Sequence, residues 1–276
     1  MKMIPGTEME CGHKRRESNV AALPVSVCLE MVYDDEPFHE RVARAADAGA
    51  DAVEFWDWRE KDLDAIAAAA DEHGLALATC TAGGTLTDPD RSSAAVETIR
   101  ESIETAADYG IEALIATTGP EQAAYGREIQ HETVVDVLSR VAPAAERAGV
   151  TIALEPLNTA IDHPEYFLSS SQEGFEIVDA VDSPAVALLY DTYHQQITEG
   201  NVIHTLTDGI KRVGHVHIAD VPGRHEPGTG ELDYATVLEA LSAAGYDGYI
   251  GCEFTPTGDS DDAMAAVDSR LPESSS

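Results

Sequence analysis

The sequence predicts an α/β fold, a single (β/α)8 barrel, on three observations. The chain has 276 residues, 43% of them hydrophobic, which suits one such barrel with a sizeable core. Short, near-continuously apolar runs alternate with Ala-rich amphipathic stretches, the pattern of a parallel sheet covered on both sides. The alternation repeats eight times, which favours a closed barrel over an open doubly wound sheet, and no GxGxxG follows the first strand to signal a dinucleotide fold.

Taken in order, residues 1–22 are polar and without helical period and read as a flexible N-terminal extension; 23–271 form the barrel and 272–276 a disordered tail. Strands are expected at 25–32, 52–55, 76–81, 113–117, 151–155, 186–191, 213–219 and 249–254. Helices are expected between them at 37–48, 62–73, 92–109, 132–148 and 234–244. Gly49, Gly74, Gly110, Gly149 and Gly245 each stand between a helix and the next strand, where a left-handed residue closes the helix. The last unit is the weakest, because 259–271 is short and acidic for an eighth helix.

The formal net charge is −34, and only four of the 17 basic residues are lysines. Such an acidic surface suits a halophile's cytosolic enzyme, kept hydrated and unassociated where salt screens charge. It disfavours a nucleic-acid groove, which needs concentrated Lys and Arg. No run approaches the ~20 apolar residues of a membrane span, so no membrane partner is expected. The N-terminal stretch has charge but no apolar region after it, which argues for the cytoplasm. Cys11, Cys28, Cys80 and Cys252 are scattered without a CxxC pair; the last three fall in strand-like runs as small core residues.

In a (β/α)8 barrel the C-terminal strand ends converge on the active site. There the sequence places Leu154-Glu155-Pro156-Leu157-Asn158, Tyr190-Asp191-Thr192-Tyr193-His194, His215-Val216-His217 and Cys252-Glu253-Phe254. Glu155, Asp191, His217 and Glu253 thus approach one rim from four consecutive strands. Acids pointing into an apolar barrel are costly unless they share a cation. Three carboxylates and an imidazole suit Mn2+ or Mg2+, and also Co2+; no signature of an organic cofactor accompanies them. His215 and His217 face the same side, and His217 is taken as ligand because it lies nearer the strand's C-terminal end. The loop from Asp220 to Glu231 is shaped by Gly and Pro and offers Arg224, His225 and Glu231 to a ligand; Arg224 can clamp a carboxylate bidentately. Glu54 ends the second strand, either at the site or supporting it, with Trp56 and Trp58 beside it as pocket wall or core. His194 can bind a substrate oxygen or hold Glu155. His39, His73 and His131 lie on helices and read as surface residues.

The segments LEPLN, YDTYHQQ, HVHIADVPGRHEPGTGELDY and GYIGCEF resemble those of the hydroxypyruvate isomerase family, within the xylose isomerase-like TIM barrels. The resemblance covers 25–255. It implies one divalent metal on Glu155, Asp191, His217 and Glu253, with Glu155 and Glu253 as the acid/base pair and His194 and Arg224 on the substrate. The implied reaction turns hydroxypyruvate into 2-hydroxy-3-oxopropanoate through a cis-enediolate, with Arg224 or His225 holding the substrate carboxylate. A ketose 3-epimerase or a 2-oxo-tetronate type isomerase uses the same site. Bacterial hydroxypyruvate isomerases often carry Gln where this chain has His217, which leaves open the choice between a hydroxy-carbonyl acid and a sugar. Members often form homo-oligomers. An endonuclease on the same barrel is disfavoured by the −34 charge.

Overall fold

The computed structural model describes residues 23–34 and 36–272. The expected extension at 1–22, and 273–276 of the expected tail, lie outside the described residues. Eight parallel strands pair in sequence order and close, first to last, into a barrel. They are β1 (Val25–Cys28), β2 (Ala52–Glu54), β3 (Ala76–Thr81), β4 (Ile111–Thr117), β5 (Thr151–Glu155), β6 (Val186–Asp191), β7 (Val213–Ile218) and β8 (Ile250–Cys252). One helix follows each of the first five strands: α1 (Arg41–Asp47), α2 (Leu63–His73), α3 (Ser92–Tyr109), α4 (Arg127–Ala148) and α5 (Ser171–Val181). Two short helices, α6 (Thr192–Thr198) and α7 (Val202–Gly209), follow β6; α8 (Tyr234–Ala243) follows β7 and α9 (Ser260–Asp268) closes the chain of units.

Side-chain alternation along the strands divides the barrel into two environments. One set faces the helices: Val25 and Val27, Ile152 and Leu154, Leu188 and Tyr190, Val216 and Ile218 all join the main apolar core. The other set points into the barrel. Low in the interior, Ile115, Ala153 and Leu189 form a small apolar layer of their own. The next inward residues toward the C-terminal rim of these strands, β4, β5 and β6, are Thr117, Glu155 and Asp191. The same two-residue step therefore carries each strand from packing to chemistry.

The differences from the sequence reading have local causes. The first strand stops at Cys28 because Met31 and Val32 both donate their N–H to the Cys28 carbonyl in a turn. Helix α4 starts at Arg127, five residues before the expected start, because Gln130 anchors the preceding loop through Gln122 and Tyr125. Helix α6 has only seven residues, with Thr192, Tyr193, His194 and Gln195 all buried, so it has little polar face to give a helical period. Gly74, Gly110 and Gly149 close their helices in the left-handed conformation, as expected. Among the described residues, no helix is long and apolar enough to cross a membrane.

Candidate active site

Four strand ends bring one cluster together. Glu155 ends β5, Asp191 ends β6, His217 is one residue from the end of β7, and Glu253 follows β8. One donor atom from each lies within 4.8 Å of all the others. All four residues are buried, between 1% and 7% exposed, which is tolerable for three acids only if charge of opposite sign is close by. His217 Nδ1 is 3.2 Å from Glu253 Oε2 and 3.9 Å from Glu155 Oε1. Glu155 Oε1 and His217 Nδ1 nevertheless have no hydrogen-bond partner. Orphaned acceptors converging on one point fit a divalent cation, and a donor set dominated by carboxylate favours a hard one. Asp191 serves two purposes: Oδ1 accepts from the N–H groups of Tyr193 (2.8 Å) and His194 (3.1 Å) as the cap of α6, and Oδ2 faces the cluster.

The two glutamates sit in different electrostatic surroundings. Burial, then the charges of Glu253 and Asp191, raise the Glu155 carboxyl well above the usual carboxylate range. For Glu253 burial pushes the same way, but Arg224, His217 and the Trp56 indole outweigh it and hold the carboxylate ionised. Trp56 Nε1 donates to Glu253 Oε1 at 3.0 Å. Burial works against a charged His217 ring, yet Glu54 and Glu253 on its two sides raise its pKa.

Below the cluster lies a buried polar plug. Glu54 Oε2 contacts His215 Nε2 at 2.9 Å and accepts from Ser26 Oγ at 3.1 Å, while Oε1 sits 3.1 Å from His217 Nε2. Burial raises the Glu54 carboxyl, but His217 and His215 reverse this and keep it ionised. The sequence reading left Glu54 either at the site, as a substrate contact, or supporting it; the structure places it one layer lower, 2% exposed and behind His217. The reason is register: Glu54 points inward from a strand of three residues that ends before the rim. Gly251 makes room for this plug, since a Cβ there would stand 2.5 Å from His217 Cδ2 and 2.7 Å from Glu54 Oε1.

Above the cluster a cavity of about 300 Å³ opens at the C-terminal rim. Glu155, Glu253, His194 and Arg224 line it, with Trp56, His163 and Tyr166 among the rest of the wall. Arg224 Nη2 donates to Asp191 Oδ2 at 3.3 Å and to Glu253 Oε2, and its Nε is buried without a partner. Its backbone has φ +58°, a conformation costing about 1–3 kcal/mol in a non-Gly residue. Bonds from Arg224 N to Asp220 O (3.1 Å) and from Thr255 N to Arg224 O (2.9 Å) hold it there and aim the guanidinium inward. The loop itself is organised by Asp220, fully buried, whose carboxylate accepts from the N–H groups of Val221, Gly228, Gly230 and Leu232 at 2.8–3.1 Å.

Other expected contacts fall elsewhere. His225 does not line the cavity; its Nδ1 lies 2.7 Å from the Thr255 carbonyl on the outer side of the loop. Glu231 accepts from Gln196 on the surface, and Trp58 packs at α3 with Nε1 on Ser102 Oγ at 3.1 Å. His163, Tyr166 and Asp220 escaped the sequence reading. The segment Ile161-Asp162-His163-Pro164 directly after LEPLN was the available signal for the first two, since a His beside a strand-end acid motif sits at the rim.

A closed barrel with an acid–imidazole cluster at its C-terminal rim defines the class of the xylose isomerase-like TIM barrels. The model of that family matches residues 42–270, and the chain belongs to it. Among curated proteins it is 36% identical to the 2-oxo-tetronate isomerase of Cupriavidus necator, over 83% of this chain and 91% of that one. It is 29% identical to the hydroxypyruvate isomerase of Escherichia coli, over 85% and 94% of the two chains. A solved structure from Brucella melitensis, titled AP endonuclease family 2, superposes with a TM-score of 0.84 at 28% identity, covering 91% of this chain and all of that one.

Proposed function

We propose that the protein is a divalent-metal-dependent isomerase that moves a proton between adjacent carbons of a small 2-oxo-3-hydroxy acid, with hydroxypyruvate, giving 2-hydroxy-3-oxopropanoate, as the first substrate to test. The observation that carries this reading is the pair Glu155 and Glu253, which face one cavity and belong to an acid–imidazole cluster whose donor atoms lie within 4.8 Å of one another. Two carboxyl groups facing one cavity can serve as acid and base on one substrate, and their surroundings differ: burial raises the Glu155 carboxyl, while at Glu253 burial is outweighed by Arg224 and His217. The names of the curated relatives, isomerases of hydroxypyruvate and of 2-oxo-tetronate, support the same substrate class.

Glu155, Asp191, His217 and Glu253 would hold the cation, Mn2+ or Mg2+ by donor type. A bound cation supplies polarisation of a carbonyl and stabilises developing negative charge on oxygen. The chain's own groups do the proton work. One glutamate removes the proton from the hydroxyl-bearing carbon, which leaves an enediolate. The other returns a proton to the neighbouring carbon as the hydroxyl proton moves, so the product is an isomer and nothing else is consumed. Arg224 binds the substrate carboxylate through its unpartnered Nε and the free edge of its fork, which excludes neutral sugars from the same grip. His194 donates to a substrate oxygen. Trp56, 43% exposed at the mouth, keeps Glu253 in place and shields the cavity from water.

Glu155→Gln and Glu253→Gln variants test the assignment: each should lose at least about 10³-fold in kcat on hydroxypyruvate while keeping the fold. Near-normal turnover in either would remove that residue from the mechanism. Arg224→Ala should chiefly raise KM for acids; an unchanged KM would point to an uncharged ketose instead.

A further inference from the structure

The backbone amides around the Asn158 side chain set the direction of its remaining hydrogen bonds. Oδ1 accepts from two backbone amides, Ile161 N–H at 3.0 Å and Asp162 N–H at 3.3 Å. This fixes the amide orientation, because an NH2 group in that place would face two donors. The Nδ2 group therefore points the other way and has two acceptors, Asp162 Oδ2 at 2.7 Å and His194 Nδ1 at 2.7 Å. The backbone N–H of Asn158 also points at His194 Nδ1, at 3.3 Å. Asp162 in turn is held by Tyr193, whose hydroxyl donates to the same Oδ2 at 2.9 Å.

His194 is fully buried, and its Nδ1 faces two donors and no acceptor. A ring nitrogen in that position must offer a lone pair, so the ring's single proton resides on Nε2. That nitrogen has no hydrogen-bond partner and lies 3.6 Å from Asp191 Oδ2, on a ring that lines the cavity. We infer that Asn158 is a positioning residue that locks His194 as a neutral Nε2–H donor, aimed at a ligand oxygen seated beside Asp191. Resting on the proposed reaction, this makes His194 a fixed donor to the oxygen where charge develops, and not the group that carries protons between carbons.

The lock can be reversed with one atom. Asn158→Asp keeps an oxygen for the Ile161 and Asp162 amides but replaces the donor to His194 with an acceptor, which draws the proton to Nδ1. Asp162→Asn in the same chain removes the new carboxylate–carboxylate repulsion, so the double variant keeps the loop while retaining the inverted ring. The measurement is 15N NMR of histidine-labelled protein loaded with diamagnetic Mg2+, with the His194 signals assigned by comparison with His194→Gln. The wild-type ring should show an unprotonated Nδ1 and a protonated Nε2. Asn158→Asp and the double variant should show the reverse, with Mg2+ affinity within a few-fold of wild type and kcat lower by about 10²-fold. A wild-type ring protonated on Nδ1, or a double variant with the inverted ring and wild-type kcat, would overturn the inference. Wild-type protein with the expected ring that converts no hydroxy-carbonyl acid would instead overturn the proposed function and leave the lock standing.

Discussion

His217 lies between two carboxylates, Glu253 3.2 Å from Nδ1 and Glu54 3.1 Å from Nε2, and that arrangement sets what single substitutions should do. A carboxylate behind a ligating imidazole fixes ring orientation and raises its basicity, and its loss costs about 10- to 100-fold in metal affinity. Glu54→Gln should therefore weaken Mg2+ or Mn2+ binding by that factor in calorimetry; unchanged affinity would relegate the plug to packing. Gly251→Ala should do comparable damage by steric means, because its Cβ would overlap His217, Glu54 and His215 together. A loss of about 1–3 kcal/mol in denaturant stability accompanies the affinity loss. The pH dependence of loading follows from Glu155. Burial and the neighbouring carboxylates raise its pKa, so the metal-free protein keeps this carboxyl protonated at neutral pH. A cation binds only the ionised form, so loading releases a proton. Affinity should climb with pH across the neutral range and level off once Glu155 ionises by itself. Calorimetry in two buffers of different ionisation heat reads the released proton directly, and zero release would contradict the assignment.

Among the elements, the β7–α8 loop carries Arg224, the proposed carboxylate clamp, and was only half legible. Its Gly and Pro content marked it as shaped, and residue type offered Arg224, His225 and Glu231 alike to a ligand. The orientation of the loop was not legible, because it depends on Asp220 accepting four backbone amides and on a left-handed Arg224, neither of which has a sequence pattern. His225, one residue from Arg224, consequently faces outward. Asp220→Ala should leave four amides without their acceptor and lower stability by about 3 kcal/mol or more, with proteolysis beginning inside the loop. Equal stability with an intact loop would refute this. The strands β3, β5 and β6 were readable to the residue: β5 and β6 run from a Gly or Pro to an acid, and β3 lies between Gly74 and Gly83. Helix α6 was not, since burial of its first four residues erases the amphipathic period that identifies a helix; α7 keeps a buried face at Val202, Leu206 and Gly209 but is too short, at eight residues, for the period to stand out. The four-member cluster was legible for a simpler reason: each member ends a strand, and barrel geometry brings strand ends together whatever the intervening loops do.

For the whole molecule, a formal charge of −34 on 276 residues is a large self-repulsion to contain in a compact fold. Screening shortens from ~10 Å at 0.1 M salt to ~3 Å at 1 M, so molar KCl should stabilise the native state. A thermal midpoint that rises steadily with KCl is expected; a flat or falling midpoint would argue that paired charges already neutralise the surface. The central claim, that two glutamates move a proton between the carbons of a small hydroxy-carbonyl acid, is tested most directly by proton NMR of hydroxypyruvate in D2O. The protein would be present in molar KCl with Mg2+, beside an EDTA-treated control. Metal-dependent loss of the C3 proton signal together with growth of the aldehyde product is the predicted result. A folded, metal-loaded protein that leaves the C3 protons unexchanged would contradict the account for hydroxypyruvate.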